Sequence, residues 1–195
     1  MDRVTEFNNI MPIKNIASVL QHGILSFQKA AKLEHNDISM KEVQDIRDGI
    51  TLPNSRPLHK CANVYFDARN PMMYKRRRDY EDICILRISK KILSIPNTFV
   101  STQNASSKYT QFYNANDVTG DCLDLDKIYA RDWEHEEQID KWRHASIKCA
   151  EVLVPRIIPS KYILGAYVAS EKVKKKLIKC GFNLDVMINS DKFFR

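Results

Sequence analysis

The sequence predicts a mixed fold of helices and strands, of the α+β class rather than the doubly wound α/β class. Segments rich in β-branched and aromatic residues occur between helical patterns, but the two types do not alternate regularly, as parallel α/β sheets require. Neither G-x-G-x-x-G nor G-x-x-x-x-G-K-[ST] occurs, so the usual glycine-rich phosphate cradles are absent. The length of 195 residues predicts a single domain, residues 1–195.

The first part of the chain predicts a strand followed by two helices. Residues 4–9 favour a strand, and residues 14–21 favour a helix that ends at Gly23, a residue that tolerates positive φ. Ser39, with a glutamate three positions later, indicates a capping box for a helix over residues 40–48.

The rest of the chain predicts mainly strands, with two further helices. Residues 63–66 are rich in β-forming side chains, and residues 83–89 form a nearly continuous apolar run, which is typical of a buried strand. The later predicted elements are a helix over 135–143, strands over 150–154 and 162–169, a helix over 173–180 ended by Gly181, and a strand over 184–188.

Composition indicates a soluble cytoplasmic domain with an anionic partner. Hydrophobic residues make up 44% and charged residues 28%, which excludes disorder, and no apolar run is long enough to span a membrane. The N-terminus has no apolar core of a secretory signal. The net charge of +7 favours nucleic acid, a phosphorylated cofactor, or both.

Cysteine and histidine spacing predicts neither disulfides nor a metal site. The cysteines are an odd number, widely spaced and without a C-x-x-C pair, and the histidines are scattered, so we expect buried free thiols and no metal. The five cysteines are Cys61, Cys84, Cys122, Cys149 and Cys180.

Two charged residues in otherwise regular elements are the first candidates for catalysis. Glu151 lies in a short apolar strand, where a buried carboxylate costs several kcal/mol without partners. The alternative is an outward-facing strand residue, although Leu153 would share that face. Arg47 ends a predicted helix, where an arginine favouring the helix dipole is the simpler interpretation.

A strand rich in aromatic residues, followed by a basic run, forms a candidate nucleic-acid surface. Tyr65 and Phe66 end the strand, and their rings could stack on a base or a nicotinamide, although lone aromatic residues more often belong to the core. Basic charge beside aromatic rings is how single strands are held, whereas a charge run alone is usually solvated surface. The candidate nucleic-acid-binding residues are His59, Arg69, Lys75, Arg76, Arg77, Arg78 and Lys148.

Five segments occur in a characteristic order along the chain. They are NIASVLQHG (15–23), EVQDIR (42–47), LH (58–59), YF with RNPMMY (65–74) and AEVLV (150–154). In this order the chain resembles the DarT family over about residues 5–170, a family of bacterial toxins that transfer ADP-ribose from NAD onto a base in single-stranded DNA. The resemblance implies an ADP-ribosyltransferase-like fold, with a split, mainly antiparallel β core and flanking helices.

The resemblance also implies roles for individual residues. Glu151 matches the catalytic glutamate of the family, and Arg47 matches an arginine needed for transfer. His59 matches a histidine before the aromatic strand. The residues expected to bind NAD are Asn9, Met11, Asn15, Arg47, Tyr65, Met72 and Tyr74.

This chain departs from the family pattern at its first motif. Many members have H-x-T-x-x-[DN]-N, whose His and Thr hold NAD, whereas this chain has Asn9 and Met11 at those positions. Asn still donates and accepts hydrogen bonds, but Met cannot replace a hydroxyl. The NAD contacts at this edge are therefore expected to differ from those of the family.

The resemblance implies an NAD-dependent ADP-ribosyltransferase, a glycosyltransferase that transfers a pentosyl group, which modifies a base in single-stranded DNA as the toxin of a toxin–antitoxin pair. The broader class term nucleotidyltransferase is also expected to apply. The segment from about residue 109 to residue 142 is expected to present the target base. The alternatives are an RNA acceptor, a protein or water acceptor, and a binding domain without activity. The resemblance implies an antitoxin partner of the macrodomain type and no membrane partner.

Overall fold

A computed structural model describes all residues, 1–195, as one eight-stranded sheet with a two-stranded sheet and seven helices around it. The strands are β1 (Glu6–Pro12), β2 (Ile24–Leu25), β3 (Cys61–Tyr65), β4 (Ile83–Ser89), β5 (Phe99–Ser101), β6 (Phe112–Asn114), β7 (Glu151–Pro155), β8 (Ile157–Ile158), β9 (Ile163–Val168) and β10 (Asp185–Ile188). The helices are α1 (Ile16–His22), α2 (Phe27–Ala30), α3 (Lys41–Asp48), α4 (Pro71–Lys75), α5 (Leu125–Tyr129), α6 (Gln138–Ile147) and α7 (Glu171–Lys179).

The large sheet is mainly antiparallel and almost divided in two. Its strand order is β10-β9-β4-β1-β3-β7-β5-β6, and only β9 and β10 are parallel. The halves meet between β1 and β3, which share the single residue pair Asn8 and Tyr65. The predicted α+β class and the split, mainly antiparallel core are thus confirmed.

Asparagine side chains replace part of the missing ladder across this division. The Asn9 amide donates to the carbonyl of Asn63 at 3.1 Å, and Asn8 Oδ1 accepts from the backbone N–H of Ala68 at 3.1 Å. Buried backbone groups need such partners wherever strands diverge. At the opening beside β1 and β3, the two asparagine side chains thus pair with the Asn63 carbonyl and the Ala68 N–H.

Most predicted elements are present, with shifted ends. The apolar run of β4 forms the strand at the predicted residues, and the last helix ends before Gly181, which has a φ of +88°. The first strand begins and ends later than predicted, as does the helix after residue 135. The predicted capping box is wrong: Met40 is the N-cap of α3 without a side-chain cap, and the Ser39 N–H binds Asp37 Oδ1.

Two apolar clusters support the region around the division of the sheet. The main core contains 28 buried residues, including Phe7 and Val152. A second cluster of seven, including Met73 and Phe193, packs α4 and the C-terminal turn against the sheet. No helix combines the length and apolar character that crossing a membrane requires.

The cysteines are all free thiols. Cys61, Cys84 and Cys149 are buried, and Cys122 and Cys180 are partly buried. Burial raises the pKa of the Cys61 thiol to about 11. The Cys61 thiol therefore stays protonated at neutral pH, and the buried cysteines behave as small core side chains.

Candidate active site

The two candidate catalytic residues form a buried ion pair, although 104 positions separate them. Arg47, near the end of α3, makes two hydrogen bonds to Glu151, the first residue of β7: Nη1 to Oε1 at 2.8 Å and Nη2 to Oε2 at 3.1 Å. Glu151 is 1% exposed, which excludes the outward-facing alternative. Burial opposes the charge on Arg47, but Glu151 outweighs it and the pKa of Arg47 is raised. The arginine is thus more than a dipole-favouring helix end.

Strand pairing fixes the backbone of Glu151. Tyr65 of β3 is its register partner on one side. On the other side, the Glu151 N–H donates to Ser101 Oγ at 3.0 Å, and the same hydroxyl donates to the Glu151 carbonyl at 3.4 Å. The carboxylate also accepts from the Ala105 N–H at 3.2 Å. A carboxylate held by a bidentate guanidinium and a backbone amide has little freedom to rotate.

A cavity of about 290 Å³ lies over this pair, at the division of the sheet. Arg47 lines it directly, whereas Glu151 lies behind Arg47 and does not line it. Six of the seven residues predicted to bind NAD line the cavity together: Asn9, Met11, Asn15, Arg47, Tyr65 and Met72.

Asn9 and Met11, which stand where the family motif has His and Thr, give the cavity a free hydrogen-bond acceptor and an apolar surface. Asn9 uses its amide nitrogen across the sheet, but its Oδ1 is buried without a partner. A buried acceptor left unpaired costs about 1–3 kcal/mol, so a ligand N–H or O–H at this point would be favoured. Asn15 is held by reciprocal hydrogen bonds to the backbone of Asn36, and its amide lies 3.9 Å from Met11 Sδ.

Tyr65, Met72 and Cys149 line one side of the cavity with an aromatic ring and two sulfur atoms. The Tyr65 hydroxyl contacts Met72 Sδ at 3.2 Å, and burial together with Glu151 raises the Tyr65 pKa well above its ordinary value. Cys149, two residues before Glu151, also lines the cavity, and burial raises its pKa to about 12. Tyr65 is therefore a neutral hydroxyl beside the ion pair at neutral pH.

His59, which was predicted to bind nucleic acid, lines the cavity. Its Nδ1 lies 3.1 Å from Asp48 Oδ1 and its Nε2 lies 3.1 Å from Gln44 Oε1. The ring packs on Phe27, with centroids 4.4 Å apart. The histidine therefore ties α3, which carries Arg47, to the α2 segment.

Tyr74 is the one predicted NAD residue outside the cavity. It is 44% exposed and forms an aromatic cluster with Trp133 and Phe194, which we call the aromatic wall. The three rings meet edge to face, with centroids 5.3–5.9 Å apart. The structure therefore does not support direct contact of Tyr74 with a ligand in the cavity.

The basic run after Tyr74 borders both the cavity and the aromatic wall. Lys75 and Arg76 line the cavity, and Arg76 also binds the carbonyl of Ile38. Arg77 stacks over the Tyr74 ring at 4.2 Å, and Arg78 is exposed. These four side chains form a positive rim.

Two other predicted nucleic-acid residues have structural roles. Lys148 is completely buried, and its ammonium donates to the carbonyls of Ile128 and Ala130, so it cannot contact a nucleic acid as predicted. The Arg69 guanidinium donates hydrogen bonds to the carbonyls of Arg131 and Asp191 and stacks over the Phe194 ring. The prediction for Lys148 is therefore wrong, because its ammonium is buried on backbone carbonyls, whereas the role of Arg69, which is partly exposed, stays a prediction.

Several site residues escaped sequence reasoning. Ser101 and Ala105 reach Glu151 only through tertiary contacts, and no local pattern distinguishes them. Trp133 lies within the segment of residues 109–142 that was expected to present the base, but no local pattern singled it out. The segment of residues 35–40 also lines the cavity, with residues 35–37 exposed and residues 38–40 partly buried, and its sequence shows no periodicity. No group of three or more His, Cys, Asp or Glu side chains is arranged as a metal site.

A split sheet with a buried glutamate–arginine pair beneath a cavity agrees with the ADP-ribosyltransferase class that the resemblance implied. The model of the family described as "ssDNA thymidine ADP-ribosyltransferase, DarT" matches residues 9–194. The chain therefore belongs to the DarT family.

Known proteins similar to this chain agree with the assignment. The chain is 29% identical over 200 residues to a DNA ADP-ribosyl transferase–DNA ADP-ribosyl glycohydrolase fusion protein of Thermosipho africanus, covering 98% of this chain. It spans about half the length of that relative, 50%. The solved structure of T. africanus DarTG with ADP-ribose superposes with a TM-score of 0.86 at 25% identity, over 97% of this chain and 51% of that one.

A second solved relative has the same fold along its whole length. Thermus sp. 2.9 DarT in complex with ADP-ribosylated ssDNA superposes with a TM-score of 0.81 at 20% identity. The match covers 97% of this chain and 96% of that one. At this identity the comparison supports the fold, and the chemistry must be argued from the site itself.

Proposed function

We propose that this protein transfers ADP-ribose from NAD to thymidine in single-stranded DNA. The observation that carries the proposal is the buried Arg47–Glu151 pair beneath a cavity at the division of the sheet. Family membership supports the substrate class, since the family is described as acting on ssDNA thymidine.

The cavity has the chemistry to hold NAD as a substrate. Asn9 offers a buried acceptor, Tyr65 and Met72 offer flat apolar surface, and Lys75 and Arg76 supply positive charge for the pyrophosphate at the rim. Met11 contributes no hydroxyl. At this edge of the cavity, a bound dinucleotide would therefore donate a hydrogen bond to the free Oδ1 of Asn9.

Glu151 supplies the electrostatic part of the donor reaction. Cleavage of the bond between nicotinamide and ribose C1′ leaves an oxocarbenium-like centre, which a fixed carboxylate stabilises. Because Arg47 lies between Glu151 and the cavity, NAD must share or displace one of its two hydrogen bonds. The carboxylate is then free to accept a ribose hydroxyl.

Arg47 has a second task toward the base. In thymidine the only base N–H is at N3, so transfer replaces this N–H bond by a bond from N3 to C1′. The proton is released as nicotinamide leaves. A guanidinium at the cavity surface stabilises the anion that develops on the base. The new bond is glycosidic, so we propose pentosyl rather than nucleotidyl transfer.

The aromatic wall and the positive rim fit a single strand better than a duplex. Base–aromatic stacking contributes about 1–3 kcal/mol per base. Tyr74, whose ring packs against Trp133, directly precedes Lys75 of the cavity lining. A base enters a cavity of this kind only when it is unpaired. The wall would therefore hold nucleotides that flank the modified one.

We further propose that the protein is a cytoplasmic toxin with a glycohydrolase partner of the macrodomain type. The fusion relative is described as joining a DNA ADP-ribosyl transferase to a DNA ADP-ribosyl glycohydrolase. A partner that removes ADP-ribose from DNA would reverse the reaction proposed here. Expression without such a partner is expected to arrest growth, and co-expression is expected to restore it.

NAD consumption with and without acceptors tests the proposal. The purified protein is incubated with NAD alone, with single-stranded DNA, with RNA and with duplex DNA, and released nicotinamide is measured. We expect release only with single-stranded DNA that contains thymidine. Glu151→Gln is the inactive comparison, and Glu171→Gln, an exposed residue of α7, is its matched control.

Each other outcome supports a named alternative. Release with RNA alone indicates an RNA-directed enzyme, release without any strand indicates a glycohydrolase, and release only with added protein indicates a protein acceptor. Binding of single strands without any release indicates a domain that has lost catalysis.

A further inference from the structure

Lys148 is the most deeply buried charged side chain that the proposed reaction does not use. It is 0% exposed, at the C-terminal end of α6 and three residues before Glu151. Its ammonium donates to the carbonyl of Ile128 at 2.9 Å and to the carbonyl of Ala130, and it lies 3.9 Å from Asp67 Oδ2. The ammonium thus donates two hydrogen bonds to backbone carbonyls, and the Asp67 carboxylate partly compensates its charge at ion-pair distance.

The carbonyls that Lys148 binds belong to the end of α5. The last carbonyls of a helix lack acceptor partners within the helix, and basic side chains commonly satisfy them. His144, one turn before Lys148 on α6, lies with Nε2 3.0 Å from the Lys127 carbonyl of the same helix end. Two side chains of α6 therefore fix the direction in which the chain leaves α5.

The chain that leaves α5 leads directly into the aromatic wall. The Arg131 carbonyl accepts from Arg69 Nε at 2.9 Å, and Trp133 then packs against Tyr74 and Phe194. Only two residues separate Ala130 from Trp133. A displacement of the end of α5 would therefore move Trp133 relative to the cavity.

We propose that Lys148 is a positioning residue, whose buried ammonium fixes residues 128–133 and so holds Trp133 of the aromatic wall at the cavity rim. This inference rests on the proposed function, because it assigns the aromatic wall to the acceptor strand. The same lysine precedes Cys149 in the cavity lining and Glu151 in β7. It therefore sets the spacing between the catalytic strand and the acceptor side of the site.

The surroundings of Lys148 make its removal interpretable. Asp67 also pairs with Lys192 at 2.8 Å, so loss of the lysine does not leave this carboxylate without a cation. Burial lowers the pKa of Lys148, opposed by Asp67. An uncharged side chain of similar length therefore removes the anchor without leaving an unmatched charge.

The test compares Lys148→Met with Lys172→Met, an exposed lysine of α7 that pairs with Glu81. Hydrogen exchange followed by mass spectrometry reports on residues 128–133 whether or not the protein is active. We expect Lys148→Met to speed exchange in this segment by about tenfold or more, with unchanged exchange in β7. If Lys148→Met does not fold, Lys148→Leu, which also lacks a donor, replaces it, and the same faster exchange in residues 128–133 is expected.

Kinetics then separate positioning from general stability. Misplacement by about 1 Å lowers rates by about 100-fold, so kcat/KM for the strand should fall by about 10- to 100-fold, while the Kd for NAD changes less than about twofold. Unchanged exchange in residues 128–133 overturns the anchoring role. If the affinity for NAD and the kcat/KM for the DNA strand fall by the same factor, Lys148 is not a positioning residue for the strand. If wild-type protein modifies no strand, the proposed function fails, and the exchange result still decides whether Lys148 anchors the segment.

Discussion

The floor of the cavity and the aromatic wall beside it are built in different ways. On the floor, Glu151 lies within paired strands, with Tyr65 as its neighbour on β3 and Ser101 of β5 bonded to its backbone. In the wall, Trp133 lies on a loop that side chains hold by reaching backbone carbonyls. Arg69 and Lys148 make these contacts.

This difference separates the two halves of the proposed reaction. A sheet ladder holds groups at fixed spacing, which suits an ion pair that must meet a developing charge. Loops tolerate sequence change at low cost and commonly carry recognition. Substitutions on the floor should therefore affect chemistry and stability, whereas substitutions in the wall should affect the use of the strand.

Glu151→Gln should have the largest effect. Gln keeps the shape but cannot stabilise positive charge on the ribose, so the transfer rate should fall by about 10³-fold. NAD binding by calorimetry should persist. If this variant modifies DNA at the wild-type rate, Glu151 is not a catalytic residue, and the chemical role proposed for the cavity floor is wrong.

Arg47→Met should combine loss of transfer with loss of stability. Removing one partner of a buried pair leaves Glu151 uncompensated, which costs about 3–5 kcal/mol. For a domain of this size, we expect Tm to fall by about 10 °C in thermal unfolding.

The double variant Arg47→Met with Glu151→Leu distinguishes the two losses. An apolar pair of similar volume should recover most of the stability, while transfer stays absent. No recovery of Tm would mean that the floor depends on Arg47 for packing rather than for charge.

Trp133→Ala should have a smaller and more selective effect. Loss of one stacking surface should raise KM for the strand by about tenfold, with the KM for NAD unchanged. The other tryptophan, Trp142, is 66% exposed on α6 and lies outside the wall, so Trp142→Ala is the matched control. The reverse ranking of the two variants would place the strand along α6.

The smallest effect concerns pH. Burial lowers the pKa of His144, and its neighbours His135, Lys127 and Lys148 disfavour a further positive charge. Because the folded pKa lies below the unfolded value of about 6.5, stability is complete above that pH and declines as the pH falls below it.

Thermal unfolding between pH 7.5 and pH 5 checks this, with a fall of roughly a few degrees expected toward the acid end. His144→Gln, which keeps an N–H donor for the Lys127 carbonyl, should flatten this part of the profile. A variant with the wild-type slope would assign the pH dependence to other groups.

Local sequence patterns predicted many of the strands and the buried carboxylate, and they failed where a side chain's role depends on distant backbone groups. The apolar run of β4 and the carboxylate in β7 were visible in the sequence, because burial and periodicity are local properties. Motif resemblance linked Arg47 to Glu151, which no periodicity could do. The predicted surface role of Lys148 was wrong, because a sequence does not show which cations are buried with backbone carbonyls as partners.

Intact-mass spectrometry of short oligonucleotides tests the central claim most directly. Wild-type protein and Glu151→Gln are incubated with NAD and single-stranded DNA or RNA oligomers that each contain one type of base at the test position. We predict a mass gain of one ADP-ribose on thymidine-containing DNA with wild-type protein only. A gain on RNA alone, a gain on a different base, or a gain that survives Glu151→Gln would contradict the account.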